Sequence, residues 1–232
     1  FPEIIDNIAQ KNKLKIEYIP CAWSDCLNKL ESGSIDLMPD VAYTNERNER
    51  FIFSDETVLN SWSVIYYNKD LTIESLFDFS GKSIAILKGS VQENELLSSI
   101  KQLRLTPKEI INTTSFDQSF EILKEGKADI AIVNQFFSLN YTIPKQITKA
   151  NFIFAPSILK LAVHKEQDEL KTLFDRELKI LKKDPHSIYY QALEVWLPKE
   201  KDPLPKWIID TVVILVVVLI ALTILVVIFR KM

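Results

Sequence analysis

The sequence predicts an α/β protein of two similar lobes followed by one transmembrane helix, and two observations carry that prediction. Five residues of one stretch, Trp23, Leu27, Leu30, Gly33 and Asp36, reappear 93 positions later as Phe116, Phe120, Leu123, Gly126 and Asp129. Near the other end, residues 208–229 read IIDTVVILVVVLIALTILVVIF, with Asp210 as the one charge.

In each copy of the repeat the apolar spacing of four and then three marks one helix face. Gly33 and Gly126 stand where a helix ends on a left-handed residue. The segments that follow, Ile35–Pro39 and Ala128–Val133, are short and apolar enough for buried parallel strands. Strand-like runs precede the helices, LKIEYI over Leu14–Ile19 and EIINT over Glu109–Thr113, and helical patterns precede those at Pro2–Asn12 and Glu93–Leu103. Each copy therefore runs helix, strand, helix, strand, the alternation of a parallel α/β sheet. The second copy is led by a strand, Ser83–Leu87, entering the turn Lys88-Gly89-Ser90. The equivalent first strand of the other copy is expected upstream of Phe1.

Residues 51–68 contain strand-like FIF and SVIYYN and are expected to cross between the lobes, with 151–165 crossing back. Helices over 167–183 and about 185–197 finish the domain. The expected lobes are 1–60 with 156–197, and 61–155, two facing halves with a pocket in the gap. Residues 198–206, with three prolines in PKEKDPLP, form a stiff linker, and 207–230 form the membrane helix. Its 22-residue apolar core spans about 33 Å at ~1.5 Å per residue, enough for a hydrocarbon core of roughly 30 Å. Trp207 suits the entry interface, and Arg230 and Lys231 suit a cytoplasmic exit.

The composition narrows the function. The chain has 232 residues, 47% hydrophobic and 25% charged, with net charge −3 and no long basic run. That argues against nucleic acid as the main partner, because binding a phosphate backbone needs a concentrated positive face. Two histidines, His164 and His186, leave little for a metal site or a Ser-His-Asp triad, and four glycines make no phosphate loop. No cofactor is implied. Cys21 and Cys26 are too few for a disulfide framework. They could pair if the domain lies outside the cell, but a five-residue spacing across a strand end and a helix start does not guarantee bridging geometry, and the other reading is two small buried or half-buried residues.

The stretch WSDCLNKLESGSIDLMPDVAYTNERNERFIFSD, Trp23–Asp55, holds a Trp, a helix ending in Gly, Ile-Asp, Thr-x-x-Arg and Phe-Ser-Asp in order. Together with GKSIAILKGS from Gly81 and EGKADIAIVN from Glu125, it resembles the type 2 periplasmic solute-binding proteins, specifically the polar amino-acid-binding group (bacterial extracellular solute-binding family 3). The resemblance covers nearly all of residues 1–197. It implies a non-enzymatic domain whose two lobes close on a hinge around a small solute, with Arg47 holding a ligand carboxylate through its planar, two-pronged guanidinium. Without the resemblance, Arg47 reads as a surface arginine in a charged turn.

Other positions depart from the family. Asp40 and Ala42 stand where small or hydroxyl residues are usual, Val91 replaces a hydroxyl after Ser90, and Asn134 replaces the aspartate that grips a ligand ammonium. Asp40 supplies a negative charge for an amine-bearing ligand, or is a strand-end carboxylate bonded to backbone. Trp23 stacks on a ligand or packs at its helix start. Ser90 belongs to an anion-binding turn or is an ordinary N-cap. Trp62, near the hinge, reads as packing. The ligand-binding set expected is Trp23, Asp40, Ala42, Arg47, Ser90, Val91 and Asn134.

A binding domain followed by one membrane helix suits the extracellular or periplasmic sensor of a single-pass signalling receptor in the cell membrane, of histidine kinase or cyclase type. Its cytoplasmic effector would lie beyond this chain, and a homodimer is compatible with that design. The alternative is the binding domain of an ABC importer, anchored or fused to a permease beyond this chain. Cyclohexadienyl dehydratases resemble the same fold, but their chemistry needs a cleft acid or base, and no paired carboxylates stand out.

Overall fold

The computed structural model describes residues 2–197, leaving aside the side chains of 138, 140 and 196, and beyond them only 208, 210, 211, 214–216 and 219. The linker and most of the expected membrane span lie outside the described residues. No helix among the described residues is long and apolar enough to cross a membrane.

Seven α-helices and seven strands make up the described unit, in the order α1 Pro2–Lys11, α2 Trp23–Glu31, β1 Leu37–Ala42, α3 Asn45–Arg50, β2 Ile52–Asn68, β3 Ser83–Leu87, α4 Val91–Leu103, β4 Glu109–Thr113, α5 Phe116–Lys124, β5 Ile130–Asn134, β6 Ile147–Lys149, β7 Phe154–Val163, α6 Asp168–Lys183 and α7 Ile188–Trp196. Short 3-10 turns add Leu76–Phe79 and Phe137–Asn140. The expected β3, β4 and α6 are found nearly residue for residue. Gly33 and Gly126 have φ of 73° and 71°, the left-handed helix ends the echo predicts.

The fold is the two-lobed α/β architecture the resemblance implies. Strands alternate their side chains between faces, and in each lobe helices cover both. In the second lobe Ile65, Ile84, Ile86, Ile130 and Ile132 pack with Leu96 of α4. On the opposite face Tyr66, Ala85, Ala131 and Val133 pack with Phe120 and Leu123 of α5. The first lobe repeats the plan, with Ile4, Ile8, Leu161, Phe174 and Leu178 on one side and Leu27, Leu30, Met38, Val41 and Phe53 on the other.

The strand order is β1-β7-β2-β5-β3-β4, with β6 added beside β2. The hydrogen-bonded path is thus continuous rather than split into two separate halves. β2 serves both lobes, pairing with β7 over Ile52–Ser63 and with β5 over Ser63–Tyr67. The repeated strands β1 and β5 are not neighbours, because β7 and β2 stand between them. At the crossing the β2–β7 register slips between Ser61 and Ser63, and Ala155 opposite takes φ 46°, a left-handed geometry unfavourable for a residue with a Cβ.

Two expectations in the first lobe fail together. Leu14–Ile19 forms no strand, and β1 is antiparallel to β7 rather than part of a parallel ladder. In the second lobe β4 and β5 both pair in parallel with β3. No described strand stands in that central place in the first lobe, so the backbone groups of 14–19 have no ladder to join.

Candidate functional site

A cavity of about 340 Å³ opens between the lobes. All seven residues singled out from the sequence line it: Trp23, Asp40, Ala42 and Arg47 from the first lobe, and Ser90, Val91 and Asn134 from the second.

Arg47 sits in α3, a short helix whose N-cap Thr44 accepts a hydrogen bond from the Arg47 backbone N–H at 3.1 Å. That cap turns the side chain inward, where it is only 5% exposed, so the surface-arginine reading is excluded. Nη1 donates to the Ala42 carbonyl at 2.9 Å and Nη2 to the Gly89 carbonyl at 3.0 Å. The guanidinium also lies 5.4 Å from the centre of the Trp23 ring, within cation–π range. Burial pushes its pKa down to about 10, with exposed Glu46 opposing, so it stays a cation at neutral pH. No ion pair joins it to a carboxylate among the described residues.

Asp40 is placed by a bulge. The β1–β7 register slips between Met38 and Val41, at Pro39, whose missing N–H cannot join the ladder. Bulges re-aim side chains, and this one sends Asp40 to the cavity. Its carboxylate is reached by solvent through the cleft mouth, yet protein crowding it on several sides raises its pKa above the ordinary carboxylate range, chiefly by desolvation. The cavity thus holds one guanidinium and one carboxyl group, not salt-bridged to each other.

The second lobe contributes little charge. Ser90 is the N-cap of α4, accepting from the Glu93 N–H at 3.2 Å. Asn134 accepts from the Phe137 N–H at 3.0 Å, so its oxygen closes the turn after β5. Val91 presents a methyl surface. Sequence reasoning missed the apolar floor of Met38, Leu87, Phe116 and Phe136. Phe116 was findable, because it is the echo of Trp23. Phe53-Ser54-Asp55 proves structural: Asp175 of α6 accepts from the Asp55 and Glu56 N–H groups at 3.0 and 2.9 Å, holding a bulge of β2 away from the cleft.

A wider space of about 620 Å³ adjoins at the hinge, sharing Ser61, Val91 and Ser157 and lined by half-exposed Tyr43 and Trp62. It contains no buried charge, so the smaller cavity is the better-built binding site.

The profile of the bacterial extracellular solute-binding proteins, family 3, matches residues 2–198. The chain belongs to that family. It is a solute-binding protein and not an enzyme. The amino-acid-binding protein AabA of Dichelobacter nodosus is 25% identical over 189 residues, 78% of this chain and 73% of its own length. The match to PatH of Vibrio harveyi, named as a candidate amino-acid ABC transporter-binding protein, is 27% identical over 136 residues, 58% of this chain but only 52% of that protein. Among solved structures, an ancestral arginine-binding protein bound to arginine aligns with TM-score 0.74 and 26% identity, over 84% of this chain and 87% of that one. A histidine kinase sensor domain similar to periplasmic binding proteins aligns with TM-score 0.73 and 20% identity, over 85% of each chain, a likeness of fold.

Proposed function

We propose that this domain closes around a small zwitterionic, amino-acid-like solute, with Arg47 holding the carboxylate and Asp40 the ammonium. The observation that carries this reading is the buried Arg47 without a carboxylate partner among the described residues. A buried cation is costly unless an anion accompanies it, and a bound carboxylate meets that need. Asp40 takes the part the family gives to the aspartate replaced here by Asn134. Trp23, Ala42, Ser90 and Val91 complete the walls. The names of AabA and of the arginine-bound ancestral protein support an amino-acid class.

We further infer that the domain, with lobes 1–60 plus 156–197 and 61–155, is the external sensor of a single-pass membrane receptor, joined through 198–206 to a helix over 207–230. The apolar run, its basic exit and the fold shared with a histidine kinase sensor domain support this. Closure would shift a two-state equilibrium by the ligand's differential affinity for the two states. The name of PatH favours a second reading, a binding domain serving an ABC importer.

Calorimetry of the full chain against the common amino acids tests the ligand class, with binding of at least one expected and uniform silence overturning it. The coding sequence after Met232 separates the roles. A kinase or cyclase supports sensing, whereas several further hydrophobic spans support transport.

A further inference from the structure

The start of α2 differs from every other well-built helix start near the cleft. Its N-cap is Ala22, which offers no side-chain hydrogen bond. Its echo in the second lobe, Ser115 at the start of α5, accepts from the Gln118 N–H at 3.1 Å. In place of a cap, α2 has a covalent clamp. Cys21 and Cys26 are disulfide-bonded with their Cα atoms 5.5 Å apart, the bridge that the sequence left open. Cys21 immediately precedes the cap and Cys26 lies one turn inside the helix, which brings the two side chains to one side. These are the positions a hydrophobic staple occupies at other helix starts.

Two of the four residues held inside this clamp reach the opposite lobe. Trp23 Nε1 donates to the Gly89 carbonyl at 3.2 Å, and Ser24 Oγ donates to the Lys88 carbonyl at 3.2 Å. Arg47 adds its bond to the same Gly89 carbonyl. The receiving turn is itself fixed, because the Gly89 N–H donates to Glu93 at 2.6 Å and the Lys88 N–H to the Thr113 carbonyl at 3.0 Å. Only glycine suits position 89. Its φ is +71°, and an added Cβ would stand 3.1 Å from Ser24 Oγ.

We propose that the disulfide-stapled first turn of α2 and the Lys88–Gly89 carbonyls form a latch that holds the lobes together through direct bonds between them. The latch rests on the reading of the cleft as the binding site only in its consequence, a tighter hold on whatever enters. Its bonds lie at the cleft rim, where water competes for each of them, so the latch is weak enough to open for exchange.

The test uses the full chain with its tryptophans 15N-labelled at the indole; there are four, with Trp23 assigned by its loss in Trp23→Phe. Without ligand, the Trp23 indole proton is expected to exchange with water about tenfold more slowly than that of half-exposed Trp62, as befits one hydrogen bond. Gly89→Ala should abolish that protection. Gly81→Ala should leave it, since Gly81 shares the positive φ of +75° but has nothing near its added Cβ. The Cys21→Ser, Cys26→Ser double variant should lose most of the protection while a far-ultraviolet spectrum shows the helices retained. A wild-type Trp23 signal as labile as that of Trp62, or protection surviving Gly89→Ala, overturns the latch. Protection surviving loss of the disulfide overturns the clamp's part in it. Protection intact while no amino acid binds would overturn the proposed ligand class and leave the latch standing.

Discussion

The two lobes are built from one repeated unit, yet they solve the same local problems differently. In the second, β4 lies against β3 and becomes a strand. In the first, the equivalent Leu14–Ile19 has no described strand beside it and remains irregular, with Leu14, Tyr18 and Ile19 exposed. Strand character is therefore decided by the presence of a partner ladder and not by the residues alone. The division of labour at the cleft is equally uneven. Arg47, Asp40 and Trp23 come from the first lobe, whereas the second offers carbonyls, methyl groups and a capped turn.

This contrast can be broken most forcefully in the second lobe's core. Phe120 is fully buried, stacked edge-on to Tyr66 with ring centres 5.4 Å apart. Phe120→Ala should cost about 4 kcal/mol, read as a lower urea midpoint, with hydrogen exchange accelerated first in residues 61–155. Equal acceleration in both lobes would show that their cores are not energetically separate. Next in size, Arg47→Ala should weaken binding of an amino acid about 100-fold or more while the unfolding midpoint holds or rises, since a buried unpaired charge is removed. Unchanged affinity by calorimetry would take the carboxylate role from Arg47.

Asp40 sharpens the comparison through pH. Its pKa is raised in the native state, so the native state binds more protons than the unfolded chain between the ordinary carboxylate value, about 3.9, and the raised one. Asp40's own contribution to the stability of the ligand-free protein should therefore rise as pH falls through the raised value and level off below the ordinary one, opposite in sign to that of carboxylates held low, such as Glu177 and Asp129. An ammonium-bearing ligand needs the ionised form, so its affinity should fall about tenfold per pH unit below the raised value. In Asp40→Asn the affinity slope should vanish and the stability curve should lose Asp40's share. A wild-type affinity that is flat across that range would exclude Asp40 as the ammonium partner. The smallest effect concerns the two helix starts. Ser115→Ala should destabilise by about 1 kcal/mol, whereas Ala22→Ser should stabilise by less than that, both measured by thermal unfolding.

Much of the fold was legible because the echo repeats its own punctuation: apolar residues four and three apart, then a glycine that must turn left-handed. The strand Ser83–Leu87 was equally plain, being an apolar run that ends in a turn. The helix Asn45–Arg50 was hidden, since its six residues are all polar and its inward face shows only once Thr44 caps it. The site residues were found mainly through the resemblance. Their roles were less visible. Burial of Arg47, the bulge that turns Asp40 and the capping duty of Asn134 all depend on contacts between distant segments. The disulfide stayed an open question because a five-residue spacing across a helix start does not by itself fix the bridging geometry.

The polarity of the cleft also fixes an order of events. With Asn134 committed to its turn, the second lobe lines the smaller cavity with no charged side chain, so inside that cavity a zwitterion meets its electrostatic partners on the first lobe. Arrival should be governed by that half, and its rate should respond to ionic strength through Arg47 and Asp40. Residence should be governed by the other half, which covers the bound molecule and sets how quickly it escapes. Substitutions at Val91 or Phe116 would then alter dissociation and leave association nearly untouched, dividing the kinetics of one pocket between its two sides.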